Sequence, residues 1–384
     1  MEPGKEVALT LALAADKGHV ARERAGVSLI AMERAFVTGA SGFIGSAVVR
    51  ELLADGVQVR VLMRAGADHA AIKGLAVEVI TGDINDPRAL ARGLVGCDAC
   101  FHVAGMNALW LRGKSDVKAM YDANEKGAEL VVSTAMHAGC KQIVHTSSVV
   151  TVGKPRQSEK RQANEADFPE LAEMAVHYAR SKFLGEQRVI KLAAQGAPVV
   201  IVNPSAPMGP FDVKPTPTGR VVLDFLLGKM PGYMETGLNV IDVADCARGH
   251  ILAAQKGKPG ERYILGHINA SIREIFETLA EITGLPAPKF KVPKSVALTA
   301  AFFSELKARI TGKAPQVPLA GVRMALQPMF YDNTRALTEL SLPTRSLRET
   351  LRRAAAWYVE HGYAKAPPNE LGAWDSKPET ARAK

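Results

Sequence analysis

The segment 35-AFVTGASGFIG-45 limits what this chain can fold into more than any other stretch. An apolar run ending at Val37 meets a turn with glycines at 39, 42 and 45. An amphipathic pattern follows, with Ile44, Val48, Val49, Leu52 and Leu53 on one side. Strand, glycine turn and helix start is the geometry that binds a dinucleotide pyrophosphate. Gly39 suits a tight turn at positive φ. Gly42 lets the backbone approach phosphate oxygens, whose charge the free amides and dipole of a helix N-terminus favour. Gly45 lets helix and strand pack closely. The spacing is G-x-x-G-x-x-G rather than the commoner G-x-G-x-x-G, so the turn counts chiefly for its position between strand and helix.

The pattern then repeats. Residues 57–64, 76–81, 98–103, 141–146 and 199–202 read as strands, with helical patterns near 115–139 and 170–195. Asp86 followed by Pro87 reads as an N-cap with proline at the first helical position. Alternating strands and helices imply an α/β fold, a Rossmann-type doubly wound parallel sheet with ligands at the strand C-termini. The expected division is 32–204 for the Rossmann core and 205–363 for a smaller, mostly helical C-terminal substrate lobe. A returning strand and helix near 239–256 are assigned to the core. Residues 1–31 stand outside this plan and read as a disordered extension or an upstream start, and 364–384 as a disordered tail.

Strand 57–64 ends in Arg64, where an NAD-binding fold carries an acidic residue for the ribose 2′-hydroxyl. A guanidinium there suits a 2′-phosphate, so NADP is preferred and NAD stays possible. Charge is otherwise unevenly placed. The chain holds 48 Lys and Arg against 39 Asp and Glu, net +9, and residues 289–384 carry 16 of the former against 8 of the latter. No finger spacing or aromatic-interleaved basic run accompanies this, which argues against nucleic acid. Four cysteines are too few for a disulfide framework and point to a reducing, cytoplasmic setting; Cys97-x-x-Cys100 reads as structural thiols rather than a metal site. The longest uncharged run, 192–211, is broken by four prolines and is not a membrane span.

In 177-HYARSKFLGEQ-187, Tyr178 and Lys182 lie one helical turn apart on one face. A phenol of ordinary pKa near 10 is only about 0.1% ionised at pH 7. A neighbouring ammonium shifts it towards use as a proton donor and acceptor. Ser147 and Ser148 close the preceding strand, where a hydroxyl can meet a substrate carbonyl.

GASGFIG, Asp83-Ile84, HVAG at 102–105, Asn124-x-x-Gly127-Ala128, TSSVVTVG at 146–153, Tyr178-x-x-x-Lys182 and Asn203-Pro204 occur in one order. Together they make the chain resemble an extended short-chain dehydrogenase/reductase from about Met32 to 363. Within that family, 203-NPSAPMGPFDVKPTPTGR-220 and 263-YILG-266 are most similar to hopanoid-associated sugar epimerases, then to dihydroflavonol-4-reductase-like proteins. The resemblance implies hydride transfer between nicotinamide C4 and a carbon bearing hydroxyl or carbonyl. It implies Tyr178 as acid/base, Ser148 (rather than Ser147) orienting the substrate oxygen, and Lys182 lowering the tyrosine pKa while holding the ribose. Asn124 is implied as a supporting relay or packing residue. Implied cofactor contacts are Gly39, Ser41, Gly42, Phe43, Ile44 and Gly45, Asp83 and Ile84 at adenine, Val103, Ala104 and Gly105, and Pro204, Ala206 and Pro207 at the nicotinamide. His102 and His177 are set aside as catalytic groups.

Reductase or alcohol dehydrogenase action on a lipid-like or small polar substrate, with hopanoid or isoprenoid lipid metabolism as its setting, is the leading expectation and sugar epimerisation the alternative; a silent nucleotide sensor comes last. Trp110, Met106, Met208 and Phe211 are candidate pocket residues, with Lys214 and Arg220 for a phosphate. Leu298, Phe302, Leu306 and Ile310 form a stripe in 294–311 beside Lys307, Arg309 and Lys313. Packing of that stripe into the lobe is the favoured reading and an anionic membrane surface the other. A homodimer stays open.

Overall fold

Seven strands, all parallel, form the central sheet of the computed structural model, which describes residues 32–155 and 158–375. The expected extension at 1–31 lies outside the described residues. In chain order the core contains β1 (Arg34–Thr38), α1 (Phe43–Ala54), β2 (Gln58–Met63), β3 (Val77–Thr81), α2 (Pro87–Leu94) and β4 (Ala99–His102). Next come α3 (Lys114–Tyr121), a π turn (Asp122–Lys126), α4 (Gly127–His137), β5 (Gln142–Thr146), α5 (His177–Ala194) and β6 (Val199–Pro204). Later elements are β7 (Ala206–Met208), α6 (Pro217–Leu226), β8 (Gly232–Tyr233), β9 (Gly237–Asp242), α7 (Val243–Lys256), β10 (Arg262–Leu265) and β11 (Ile268–Ser271). The lobe ends with α8 (Ile272–Thr283), β12 (Phe290–Lys291), α9 (Lys294–Thr311), α10 (Leu319–Met324) and α11 (Leu347–Glu360).

Strand order in the sheet is β10-β6-β5-β4-β1-β2-β3, so the order reverses between β1 and β4. That reversal opens the crevice in which open α/β sheets bind ligands. The residues of β4, β5 and β6 are buried throughout, because helices cover both faces of the sheet. On one face Phe36, Leu90, Leu94, Val131, Val132, Ile143, Val189 and Ile201 form a core between strands and α2, α4 and α5. Helices α1 and α7 pack together on the other. A second core, with Met208, Val222, Phe276, Leu279, Trp357 and Tyr358, fills the lobe between α6, α8 and α11. Among the described residues no helix is long and apolar enough to cross a membrane.

Four expectations are corrected. The strand near 239–241 does not return to the core: β9 pairs with β7 and β11 in a separate three-stranded sheet. The returning strand is β10, which joins β6 and brings the fully buried Tyr263, Ile264 and Leu265. The helix near 115–139 is broken by the π turn around Asn124. The helix expected from 170 starts at His177. Finally, 364–375 is not a loose tail, because its few apolar groups find partners. Leu371 is buried, Trp374 stands edge-on to Phe211 at 4.9 Å, and Arg352 Nη1 donates to the carbonyls of Leu371 and Ala373 at 2.8 and 2.9 Å.

Candidate active site

At the crevice, Gly39 takes φ +78°, and a Cβ added there would stand 2.6 Å from Ala104 N. The β1 and β4 turns therefore touch through backbone alone. A Cβ on Gly45 would lie 2.1 Å from Gly39 O, so α1 sits hard against its own turn. Gly42 is the N-cap of α1 and no side chain caps that helix, which leaves its first amides for an anion. Ser41 and Gly42 are exposed, Ile44 half-buried, and Phe43 buried.

Arg64 follows β2, exposed, and its guanidinium has no partner among the described residues. Asp83 Oδ1 accepts from the amide and the side chain of Asn85 at 2.9 and 3.0 Å, which shapes the turn after β3. The side chain of Ile84 lies against Gly127, where a Cβ would come within 2.9 Å of its Cδ1. These groups line the ends of adjacent strands, and the open glycine cradle with a free cation beyond it fits a dinucleotide.

Val103, Ala104 and Gly105 follow β4. Ala104 N donates to Thr38 Oγ1 at 3.2 Å, and the same oxygen shares a 2.8 Å hydrogen bond with His102 Nδ1. Burial pushes His102 down to about 3, so the ring is neutral and serves as a brace. Asn124 grips the next residue from both sides: its Oδ1 accepts from Met106 N at 2.7 Å and its Nδ2 donates to Met106 O at 3.0 Å. The same Nδ2 reaches Ser181 Oγ at 2.9 Å, tying the loop to α5. A π turn re-aims the residues it carries, and here it aims this one.

Lys182 is buried, and its Nζ donates to Thr146 O at 2.8 Å. A Cβ on Gly105 would stand 3.2 Å from both Lys182 Nζ and Asn124 Oδ1, so the ammonium faces the β4 loop. Burial lowers Lys182 to about 8, with Glu186 pulling the other way. Tyr178 is half-buried one turn earlier. The expected lowering of its phenol by Lys182 is absent in the protein alone: burial pushes it up, and the polar Ser148 side chain works against that. Ser148 caps a short 3-10 turn, whereas the Ser147 hydroxyl turns away to Thr151 at 3.4 Å. Pro204 ends β6, and Ala206 and Pro207 lie buried in β7. His177 bonds Tyr121 on the exposed side of the helix.

Sequence reasoning missed a buried network beside these groups. Glu186 Oε2 accepts from Thr151 Oγ1 and Asn203 Nδ2 at 2.7 and 2.8 Å. Its Oε1 forms an ion pair of 3.0 Å with Arg262 Nε, bent too far to be a straight hydrogen bond. Arg262 Nη1 donates to Glu165 O at 2.8 Å, Nη2 to Thr151 O at 2.9 Å, and the guanidinium covers the Phe168 ring at 4.3 Å. Residues 165–168 are thus pinned to the sheet. The signal was present: Glu186 continues the Tyr178–Lys182 stripe, and a carboxylate on a buried stripe needs a cation.

Several pocket expectations are corrected. Met208 belongs to the lobe core, and Phe211, at φ +71°, packs between Trp374 and the Arg50 guanidinium. Lys214 pairs with Asp68 and Arg220 with Asp224, so neither is an unpaired phosphate holder. Met106 and Trp110 remain half-buried on the loop that Asn124 holds. All four cysteines are buried and free, and no metal-holding cluster occurs among the described residues.

Comparison with known proteins agrees with this geometry. The profile of the NAD dependent epimerase/dehydratase family matches residues 35–266. A putative dihydroflavonol 4-reductase from Synechocystis sp. is 43% identical over 334 residues, 86% of this chain and 96% of that protein. Sterol demethylase protein B from Methylococcus capsulatus is 32% identical over 329 residues, 85% of this chain and 98% of that one. The crystal structure of gox2253 superposes with TM-score 0.75 at 38% identity, covering 87% of this chain and all (100%) of that chain.

Proposed function

The chain belongs to the NAD dependent epimerase/dehydratase family, an NAD(P)-dependent oxidoreductase of the extended short-chain type, and from that premise we propose that it is an NADP(H)-dependent reductase of a lipid-like, isoprenoid-derived ketone, running equally as the alcohol dehydrogenase in reverse. The observation that carries this reading is the buried Lys182, whose ammonium has a single hydrogen-bond partner, the Thr146 carbonyl, two residues before Ser148, and lies one helical turn from Tyr178 on α5. When bound, the nicotinamide supplies the hydride. Tyr178 gives its phenolic proton to the substrate oxygen as negative charge builds there. Ser148 donates a hydrogen bond to the same oxygen and holds it in line. Lys182 keeps two N–H groups for ribose hydroxyls and favours the phenolate left behind. Asn124 keeps the β4 loop at the height these contacts require. The names of the relatives, a dihydroflavonol reductase and a sterol demethylase component, support a polycyclic or lipid-like carbonyl substrate.

Tyr178→Phe tests the assignment. With NADPH and a panel of sterol and isoprenoid ketones, turnover read as NADPH oxidation is expected to fall by roughly 10²- to 10⁴-fold. Fluorescence titration should show NADPH binding retained. Unchanged turnover would remove Tyr178 from the chemistry. Interconversion of sugar nucleotides with no net NADPH oxidation would replace reduction by epimerisation.

A further inference from the structure

Helix α9 is held to the lobe by one narrow side. Its buried residues are Ala301 and Ala308, and its main neighbour is the short helix α10. Ser304 Oγ and Glu305 Oε1 accept from Val317 N and Leu319 N at 3.2 and 2.9 Å, so these polar groups are used on that side. At ~100° per residue, Phe302, Leu306, Ile310, Phe303 and Val296 fall within an arc of about 120° on the other side. These side chains are between 45% and 79% exposed, against the expectation that the stripe would pack inward. Folded monomers rarely leave so many large apolar groups together in water.

Charge identifies what covers them. Arg309 and Lys307 lie about 20° beyond the two edges of the arc, flanking it. Segment 289–313 carries five lysines and one arginine against the single Glu305. Lys307 and Arg309 have no ion pair among the described residues. A second copy laid on this face would bring these cations against their own kind, which costs affinity. Anionic headgroups would neutralise them while the apolar arc enters the acyl boundary.

We propose that this face of α9 docks the enzyme onto an anionic lipid bilayer. Helix α10 links that face to the site: a Cβ on Gly321 would lie 3.4 Å from Leu109 Cδ1, in the loop that Asn124 holds. Delivery of an apolar ketone from the bilayer to that loop rests on the reductase reading above; the docking does not.

The test is flotation of the full chain with vesicles of phosphatidylcholine alone and of phosphatidylcholine with phosphatidylglycerol, beside the double variant F302Q/I310Q. The native protein should float with the anionic vesicles several-fold more than with the neutral ones, and less at high salt. The variant should lose about tenfold or more in partitioning, with NADPH binding and turnover of a water-dispersed ketone unchanged. Equal flotation of both proteins, or none by the native protein, overturns the proposal. So does a lipid-free dimer by sedimentation that the variant dissolves, which would give the face to a second copy. Anionic flotation without NADPH turnover would leave docking standing and remove the reductase reading.

Discussion

Lys182, on α5, and Arg262, the first residue of the edge strand β10, are both buried cations, and the protein treats them in opposite ways. Arg262 has a carboxylate partner, carbonyl oxygens of Thr151 and Glu165, and an aromatic ring beneath it. Lys182 has one carbonyl and a distant carboxylate already engaged by Thr151, Asn203 and Arg262. Burial lowers both pKa values, and for Arg262 three carboxylates oppose it. A saturated ion fixes architecture: Arg262 sets where residues 165–168 lie. An unsaturated one keeps donors for a ligand and stays close to its titration range. The difference separates a framework region from a working one only 80 residues apart in sequence, a separation that follows from the two residue numbers.

The largest effect tests the framework half. Arg262→Met leaves the Glu186 carboxylate with no exposed surface and no cation. Breaking a buried pair in this way costs about 3–5 kcal/mol. The urea midpoint should fall accordingly, and protease should then cut first within 158–169. Arg262→Met with Glu186→Gln should recover much of the loss, since a neutral replacement removes the stranded charge. A single variant as stable as the native protein would erase the contrast.

Lys182→Met tests the working half and should behave in reverse. Its folded value of about 8 lies below the ordinary 10.5, so the unfolded chain binds more protons between those pH values. Stability therefore rises with pH across that window, relieving a burial cost of roughly 3 kcal/mol present below it. The variant should be at least as stable as the native protein at pH 7, lack the alkaline rise in thermal melts, and lose turnover. A destabilised Lys182→Met protein would make the lysine a framework residue after all.

How much of this was legible follows from the physics of each feature. The glycine turn and the Asp86–Pro87 start were readable because local backbone chemistry determines them, and the structure shows Asp86 accepting from Arg88 N at 2.9 Å. Tyr178, Lys182 and Ser148 stood out by spacing and order, and the structure places the Lys182 ammonium on the Thr146 carbonyl, two residues before Ser148. The Glu186–Arg262 pair was hidden because its partners lie on separate elements, and only strand order joins them. Helix α9 was misjudged for a related reason. Periodicity shows that a helix has an apolar face, not whether anything covers it. The packing of 364–375 was masked by composition, since Leu371 and Trp374 are outnumbered by proline and charge.

Arg64 extends the comparison to a third cation and gives the smallest effect. It has no side-chain partner among the described residues and, unlike the buried Lys182, is exposed, so burial contributes nothing to its availability. Its contribution would come from charge-assisted bonds to a ribose 2′-phosphate, about 1.5–3 kcal/mol when shielded and nearer the lower figure at a solvated edge. Arg64→Ala should therefore raise the NADPH KM by roughly tenfold and leave kcat and the NADH KM almost unchanged. The loss should shrink as salt rises, which a neutral contact would not show. Equal effects on both cofactors would mean that Arg64 serves the turn and not the phosphate. The rule drawn from Lys182 would then hold only where an incompletely bonded cation has been taken out of water.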